Sequence, residues 1–397
     1  MLILSPSKEE NARKIEIFRG LYLIQFIFAL TVALPTYIMS SFLTTYATEH
    51  TVGLLYTLGA TLTFILITSM PRMLTCFGNY TVAFVITTVV ALLGLVMAFS
   101  NVQWQILSAF VLYNAFTNLI FFTQDVFIER NSSDGRTGSI RGAFLTITNI
   151  AFLISPFITG TILTDGDYWK IFAMTSITVT SVVFLLFAYM RPFNDPMYDR
   201  INLITSIRAI IKKKDITIIF IIGFLLRFFY AWMIIYSPLY LHTIIGLPWN
   251  EIGIVFTIML IPFVLLALPA GHIADNHWGE KELLFFGFLV AGIATILVAF
   301  VEPTAELSRW IIVFATTRIG ASITETMSET YFFKHVASDD TPIIAMFHNT
   351  NSLAYIIGPI LASLVLLFFP FPTLFMILGT LLLLIGIPIT ILLKDTK

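Results

Sequence analysis

The chain has 397 residues, 58% of them hydrophobic and 11% charged, with a net charge of -1. Soluble domains carry about 25% charged residues, so this composition excludes a water-soluble globule of this length, and the near-neutral balance gives no basic surface for nucleic acid. The single cysteine, Cys76, excludes a disulfide framework and a cysteine metal site.

Residues 1–19 are polar, and the apolar run that follows is too long for a signal-peptide core and lacks a cleavage pattern. It is expected to stay as the first of twelve membrane spans: 20–43, 52–70, 79–99, 103–127, 142–164, 168–190, 216–241, 252–271, 282–301, 308–330, 342–368 and 371–393. Runs of about 20 apolar residues are long enough to cross a bilayer. Backbone polar groups must be satisfied internally there, so the runs are read as helices. The expected fold class is an all-α integral membrane protein with two pseudo-symmetric six-helix bundles.

Placing both termini in the cytoplasm puts eighteen of the twenty-two lysines and arginines on that side and only Lys170 and Arg309 outside. That asymmetry fixes the expected orientation of a multi-pass cell-membrane protein. Trp104, Trp169, Trp249 and Trp310 then fall at the outer ends of spans 4, 6, 8 and 10, where an aromatic belt is expected.

Residues 191–215 form the one long polar break. Ile201, Leu203, Ile204, Ile207, Ile210 and Ile211 recur there at helical spacing ahead of Lys212, Lys213 and Lys214. This suits an amphipathic helix on the inner membrane surface or a plain linker whose lysines set topology. It divides the chain into bundles at 1–190 and 216–397. The halves repeat: Leu34-Pro35-Thr36-Tyr37 aligns with Ser237-Pro238-Leu239-Tyr240, and Phe144 through Pro156 aligns with Phe347 through Pro359, both at an offset of 203. Two parallel six-helix repeats are one plan of a secondary transporter.

Polar residues within the spans are the candidates for function, because an ionisable group at bilayer depth costs about 2.5–3.5 kcal/mol on insertion scales. In span 10, Arg318, Ser322, Glu325 and Glu329 share one helical stripe. In span 4, Asn114, Asn118, Phe121, Asp125 and Glu129 do the same, and Asn114 aligns with Arg318 at an offset of 204. Arg318 and Arg227 near mid-membrane suit an anionic or strongly hydrogen-bonding part of a solute. Arg318 and Glu325, seven residues apart, suit a structural ion pair equally well. Glu325 is the candidate proton-coupling carboxylate: a dry cavity favours its neutral form and a nearby guanidinium its charged form. Asp125, Glu129 and Glu329 lie towards the cytoplasmic ends of their helices and suit gate contacts. Gln25, Tyr230, Asn114 and Asn118 supply neutral hydrogen-bonding groups. No His-Glu-x-x-His, cysteine pair, Walker loop or catalytic-serine motif occurs, so neither an enzyme nor a cofactor is expected.

The most specific stretch is Gly271-His-Ile-Ala-Asp275-Asn-His-Trp-Gly279-Glu-Lys281, a charged, glycine-punctuated hairpin between spans 8 and 9. It resembles the signature loop of the major facilitator superfamily, which follows the second helix of each half, with the second glycine one residue late. Pro156 with Gly160 in span 5, and Gly358-Pro359 in span 11, resemble a worn form of that family's proline-glycine motif. The first copy of the loop, Ser69 to Gly78, has Leu74 where the aspartate belongs.

The resemblance implies that spans 1, 4, 7 and 10 line a central cavity, that 2, 5, 8 and 11 form the interface between halves, and that 3, 6, 9 and 12 face lipid. It also implies a cytoplasmic latch between Asp275 and Arg141 at the start of span 5. The expected function is secondary active transport of a small solute by a monomer in the lipid bilayer, coupled to protons and leaning to export. Uptake of a sugar or organic anion is the alternative within transport. A membrane sensor or membrane enzyme is the alternative of another class.

Overall fold

The computed structural model describes residues 8–131, 137–163, 166–193, 195, 210, 213–276, 278–336 and 341–394. The described chain is helical throughout its spans. In order they are Lys8–Thr36 with Met39–Thr44, Glu49–Phe77, Asn79–Phe99, Gln103–Asn131, Thr137–Ile162, Tyr168–Leu185, Lys214–Leu239, Trp249–Leu265 with Ala267–Asn276, Glu280–Val298, Leu307–His335, Thr341–Phe368, and Thr373–Leu381 with Ile387–Ile391. Short π-helical turns extend spans 6 and 7 at Leu186–Met190 and Tyr240–Ile244, and join the two parts of span 12 at Leu382–Gly386. The proposed amphipathic segment at 201–211 lies almost wholly outside the described residues.

Ten of these helices are long and apolar enough to cross a membrane. The other two spans depart from that standard for separate reasons. Span 8 was expected as one run over 252–271 but breaks at Leu266. Pro269 has no N–H to donate to the carbonyl four residues earlier, and a separate helix begins at Ala267. Span 10 is long enough, but Arg318, Glu325 and Glu329 lower its hydropathy.

Span 1 breaks for the same chemical reason. Pro35 cannot donate to the Thr31 carbonyl, and the helix ends at Thr36 before restarting at Met39. The freed carbonyl is not left bare: the Tyr113 hydroxyl of span 4 donates to Thr31 O at 3.4 Å. The Thr31 hydroxyl donates to Ile27 O and to Thr178 Oγ1 of span 6.

Contacts gather the chain into two compact units. The first comprises Met1–Pro35, Ile65–Ser155 and Asp167–Arg200; the second comprises Thr36–Phe64, Pro156–Gly166 and Ile201–Lys397. In the first unit, Gly78 turns the chain with a positive φ of 77° between spans 2 and 3. Asp195, from the segment after span 6, caps the helix that follows by accepting the Asn79 N–H at 2.7 Å. A carboxylate at that helix start satisfies a free amide and meets the positive end of the helix dipole.

In the second unit, segments of spans 1, 2 and 5 pack on spans 7, 8 and 11. A Cβ placed on Gly160 would lie 2.6 Å from Trp249 O, and one on Gly253 would lie 2.6 Å from Pro156 O. Spans 5 and 8 therefore touch backbone to backbone, which small residues alone permit. Thr57 donates to Ile356 O at 3.2 Å and Ser363 to His50 O at 3.0 Å. Trp104 and Trp169 are exposed, as a belt requires. Trp249 and Trp310 are instead buried at 4% and 0% exposure, Trp249 against His242 and Trp310 against Tyr240 and Phe314.

The Tyr113–Thr31 bond generates a prediction. Tyr113→Phe lowers the thermal stability of the purified protein by roughly 0.5–1.5 kcal/mol. In a Pro35→Ala background, which restores the missing donor, the loss shrinks. An equal loss in both backgrounds would show that the hydroxyl does not serve the freed carbonyl.

Candidate functional site

Span 7 carries Arg227 and Tyr230 one turn apart, and span 10 carries Arg318, Glu325 and Glu329 on one face. Both helices belong to the second unit. The Tyr230 hydroxyl donates to Glu325 Oε2 at 3.0 Å, which joins residues 95 apart in sequence. This is the partner that Glu325 takes, rather than the span-10 arginine that shares its stripe. Among the described residues Arg318 forms no ion pair, and its Nε and Nη2 have no hydrogen-bond acceptor.

Arg318 is 2% exposed and is housed by aromatic faces. Its Cζ lies 5.2 Å from the Phe229 ring centre and 5.7 Å from that of Tyr230. The hydroxyls of Tyr37 and Tyr355 lie within electrostatic reach of it. Ser322, one turn on, donates instead to Pro262 O in span 8 at 3.2 Å. Arg227 is placed differently. Its Nη1 donates to Gly223 O in its own helix at 3.2 Å, and its guanidinium lies 4.8 Å from the Phe347 ring centre. Glu329 and Glu325 both act on its charge. Arg227, Arg318, Glu325 and Glu329 thus set two guanidinium groups beside two carboxylates, with a phenol on Glu325.

The first unit holds the remaining polar candidates. Gln25 of span 1 is buried and donates through Nε2 to Thr148 Oγ1 of span 5 at 2.7 Å. Asn118 donates to Asn114 O within span 4 at 2.8 Å, so one of the paired asparagines is partly committed to its own helix. Asp125 is exposed. The side chains of Glu129, Arg141 and Asp275 lie outside those described.

The hairpin at 271–281 is tighter than its sequence suggested. Gly271 sits inside the helix Ala267–Asn276, and Gly279 starts the next helix, with its N–H donated to the Glu282 carboxylate at 3.0 Å. The adjoining residues make contacts that sequence inspection missed. Glu280, 1% exposed, pairs with Lys334 of span 10. Lys281 donates to Leu393 O at 3.0 Å, Tyr331 to Lys394 O at 3.3 Å, and Lys394 pairs with Asp215 at 3.5 Å. These bonds tie the same ends of spans 7, 9, 10 and 12. The one available signal was a carboxylate directly after Gly279, which an apolar neighbourhood could hold only with a partner.

A family model described as Major Facilitator Superfamily matches residues 21–339 and, in a second match, 219–397. The chain belongs to the major facilitator superfamily. It is therefore a secondary transporter of a small solute and not an enzyme, built as twelve spans in a six-plus-six plan. No curated protein matches it in sequence. Among solved structures it is similar to the nucleoside transporter NupG, with 13% identity, 96% of this chain and 100% of that one covered, and a TM-score of 0.73. It is similar to a bacterial homologue of the human lysosomal transporter Spinster, described as inward-facing and unoccupied (12%, 98% and 97%, TM-score 0.73). A POT family transporter in complex with a thioalcohol-conjugated peptide is also similar (14%, 94% and 94%, TM-score 0.75). At these identities the likeness is one of fold.

The Glu280–Lys334 pair carries a prediction for this end of the second unit. Lys334→Ala leaves a buried carboxylate unpaired and lowers stability by about 1–3 kcal/mol in thermal unfolding. Glu280→Leu in the same protein recovers most of the loss, since replacing both partners removes the desolvation penalty. If Lys334→Ala alone is neutral, the pair does not hold these helices.

Proposed function

We propose that this superfamily member couples solute movement to protons through Glu325, by alternating access of a site formed in part by spans 7 and 10. The observation that carries the reading is the Tyr230–Glu325 hydrogen bond at 3.0 Å, set beside two guanidinium groups. A carboxylate held by a phenol can exchange its proton without dismantling an ion pair. A carboxylate locked to Arg318 would stay charged in every state. Glu329, Arg227 and Arg318 all act on Glu325, so any movement of spans 7 and 10 changes the balance between its two forms.

Arg318 and Arg227 are proposed as solute-facing groups in the second unit, with Tyr230 beside them. Gln25, Asn114 and Asn118 are proposed as neutral contacts from the first unit. The backbone contact of Gly160 with Gly253 supports a closed arrangement of spans 5 and 8 that must part in another state. The lysine and arginine distribution supports cytoplasmic termini, and with that orientation the spans 5–8 contact lies towards the outer face. Pro156 and Gly160 support export as the direction. Asp275 with Arg141 is proposed as the latch on the opposite face, with Asp125, Glu129 and Glu329 contributing to the gate. The working unit is proposed to be a monomer in the cell membrane.

The test is flux in reconstituted vesicles. Glu325→Gln abolishes flux driven by an imposed pH gradient and leaves solute exchange at equal pH on both sides. Tyr230→Phe keeps gradient-driven flux but shifts its pH profile. Undiminished gradient-driven flux in Glu325→Gln contradicts proton coupling at this residue.

A further inference from the structure

We infer that the transported solute presents a planar monoanion of the carboxylate type, held edge-on by Nε and Nη2 of Arg318; this rests on the transporter reading above. The starting point is a buried guanidinium with two donors left over. Arg318 is 2% exposed, yet two of its N–H-bearing nitrogens have no acceptor among the described residues. Buried donors of a charged group are costly to leave unpaired. Phe229 and Tyr230 offer their ring faces, but a cation–π contact does not satisfy an N–H.

The geometry of the orphaned atoms selects the ligand. Nε and Nη2 lie on the same edge of the guanidinium, and two parallel N–H groups match the two oxygens of a carboxylate. Glu325, the carboxylate on the same helical stripe, receives the Tyr230 hydroxyl instead. Arg227 differs in being only half-buried, with Nη1 donating to Gly223 O and its guanidinium over the Phe347 ring, so none of its nitrogens is a buried donor left without an acceptor.

Charge selects a monoanion. The two arginines balance Glu325 and Glu329, so one added negative charge is neutralised by one proton taken up on a carboxylate. A dianion would leave an excess in a low-dielectric site. The surroundings select an apolar body. The rings of Phe229 and Tyr230 lie against the guanidinium. Tyr230 and Glu325 are partly exposed, so the arginine lies one side chain below an accessible surface.

The experiment uses the purified full chain in nanodiscs with acetate, benzoate and hippurate as probes, each against its amide, and with sulfate as a dianion. Calorimetric titration is expected to detect binding of at least one of the three carboxylates, with its amide and sulfate at least about tenfold weaker. Arg318→Lys keeps the charge and removes the fork, and is expected to lose about tenfold or more of that affinity. Arg318→Gln loses it altogether.

The inference is overturned if no carboxylate is preferred over its amide, or if Arg318→Lys binds as well as the native protein. The preference of the native protein decides the matter even where a variant fails to fold. Vesicle flux separates this inference from the reading beneath it. Arg318-dependent binding of hippurate without hippurate flux keeps the anion site and counts against transport. Flux driven by a pH gradient for an amide alone keeps transport and removes the anion site.

Discussion

Placing ionised groups inside a helix bundle that spans a membrane is the constraint on which the second unit depends. Span 10 carries three such groups and span 7 a fourth, and three of the four are accommodated by different devices. Glu325 takes a phenolic hydroxyl. Arg227 takes a carbonyl of its own helix and an aromatic face. Arg318 takes two aromatic faces and keeps two nitrogens unpartnered. Had Arg318 and Glu325 closed on each other, the helix would carry a self-contained ion pair; housed separately, each keeps polar atoms free for the role proposed above.

The same accounting explains the shape of the spans. Each proline inside a span frees a carbonyl, and lipid supplies no donor for it. At Pro35 the freed group is met by Tyr113 from another helix, which fixes spans 1 and 4 to each other at the point where span 1 bends. At Pro269 the helix breaks and restarts. Between spans 5 and 8, the lack of side chains on Gly160 and Gly253 brings backbones together.

Much of the architecture was legible because hydrophobic length is a strong signal. The apolar runs, the long polar break and the repeat at an offset of 203 all follow from the residues alone. What escaped was set by tertiary contact. The run over 252–271 carries no charged residue, so its prolines were the signal of a break, and of the two Pro262 stays inside the first helix while Pro269 follows the break. Trp249 and Trp310 read as interface anchors by position, but aromatic neighbours buried them. The stripe on span 10 was visible, whereas the partner of Glu325 was not. Helical spacing pairs Glu325 with Arg318, and the phenol that takes it stands 95 residues away. Glu280 was hidden in a motif whose aspartate drew attention, though a carboxylate entering an apolar helix was itself a reason to look for Lys334. Asp195 sat in a stretch read as a linker and serves instead as the cap of span 3.

The claim at the centre of this account is that Glu325 is a carboxyl group that gains and loses a proton while hydrogen-bonded to Tyr230. Infrared difference spectroscopy between acidic and alkaline pH, on the purified protein in nanodiscs, reads that group directly. The account predicts a protonated-carboxyl band in the native protein that disappears in Glu325→Gln and shifts in Tyr230→Phe. The same band in native protein and Glu325→Gln, or no response to Tyr230→Phe, would contradict it.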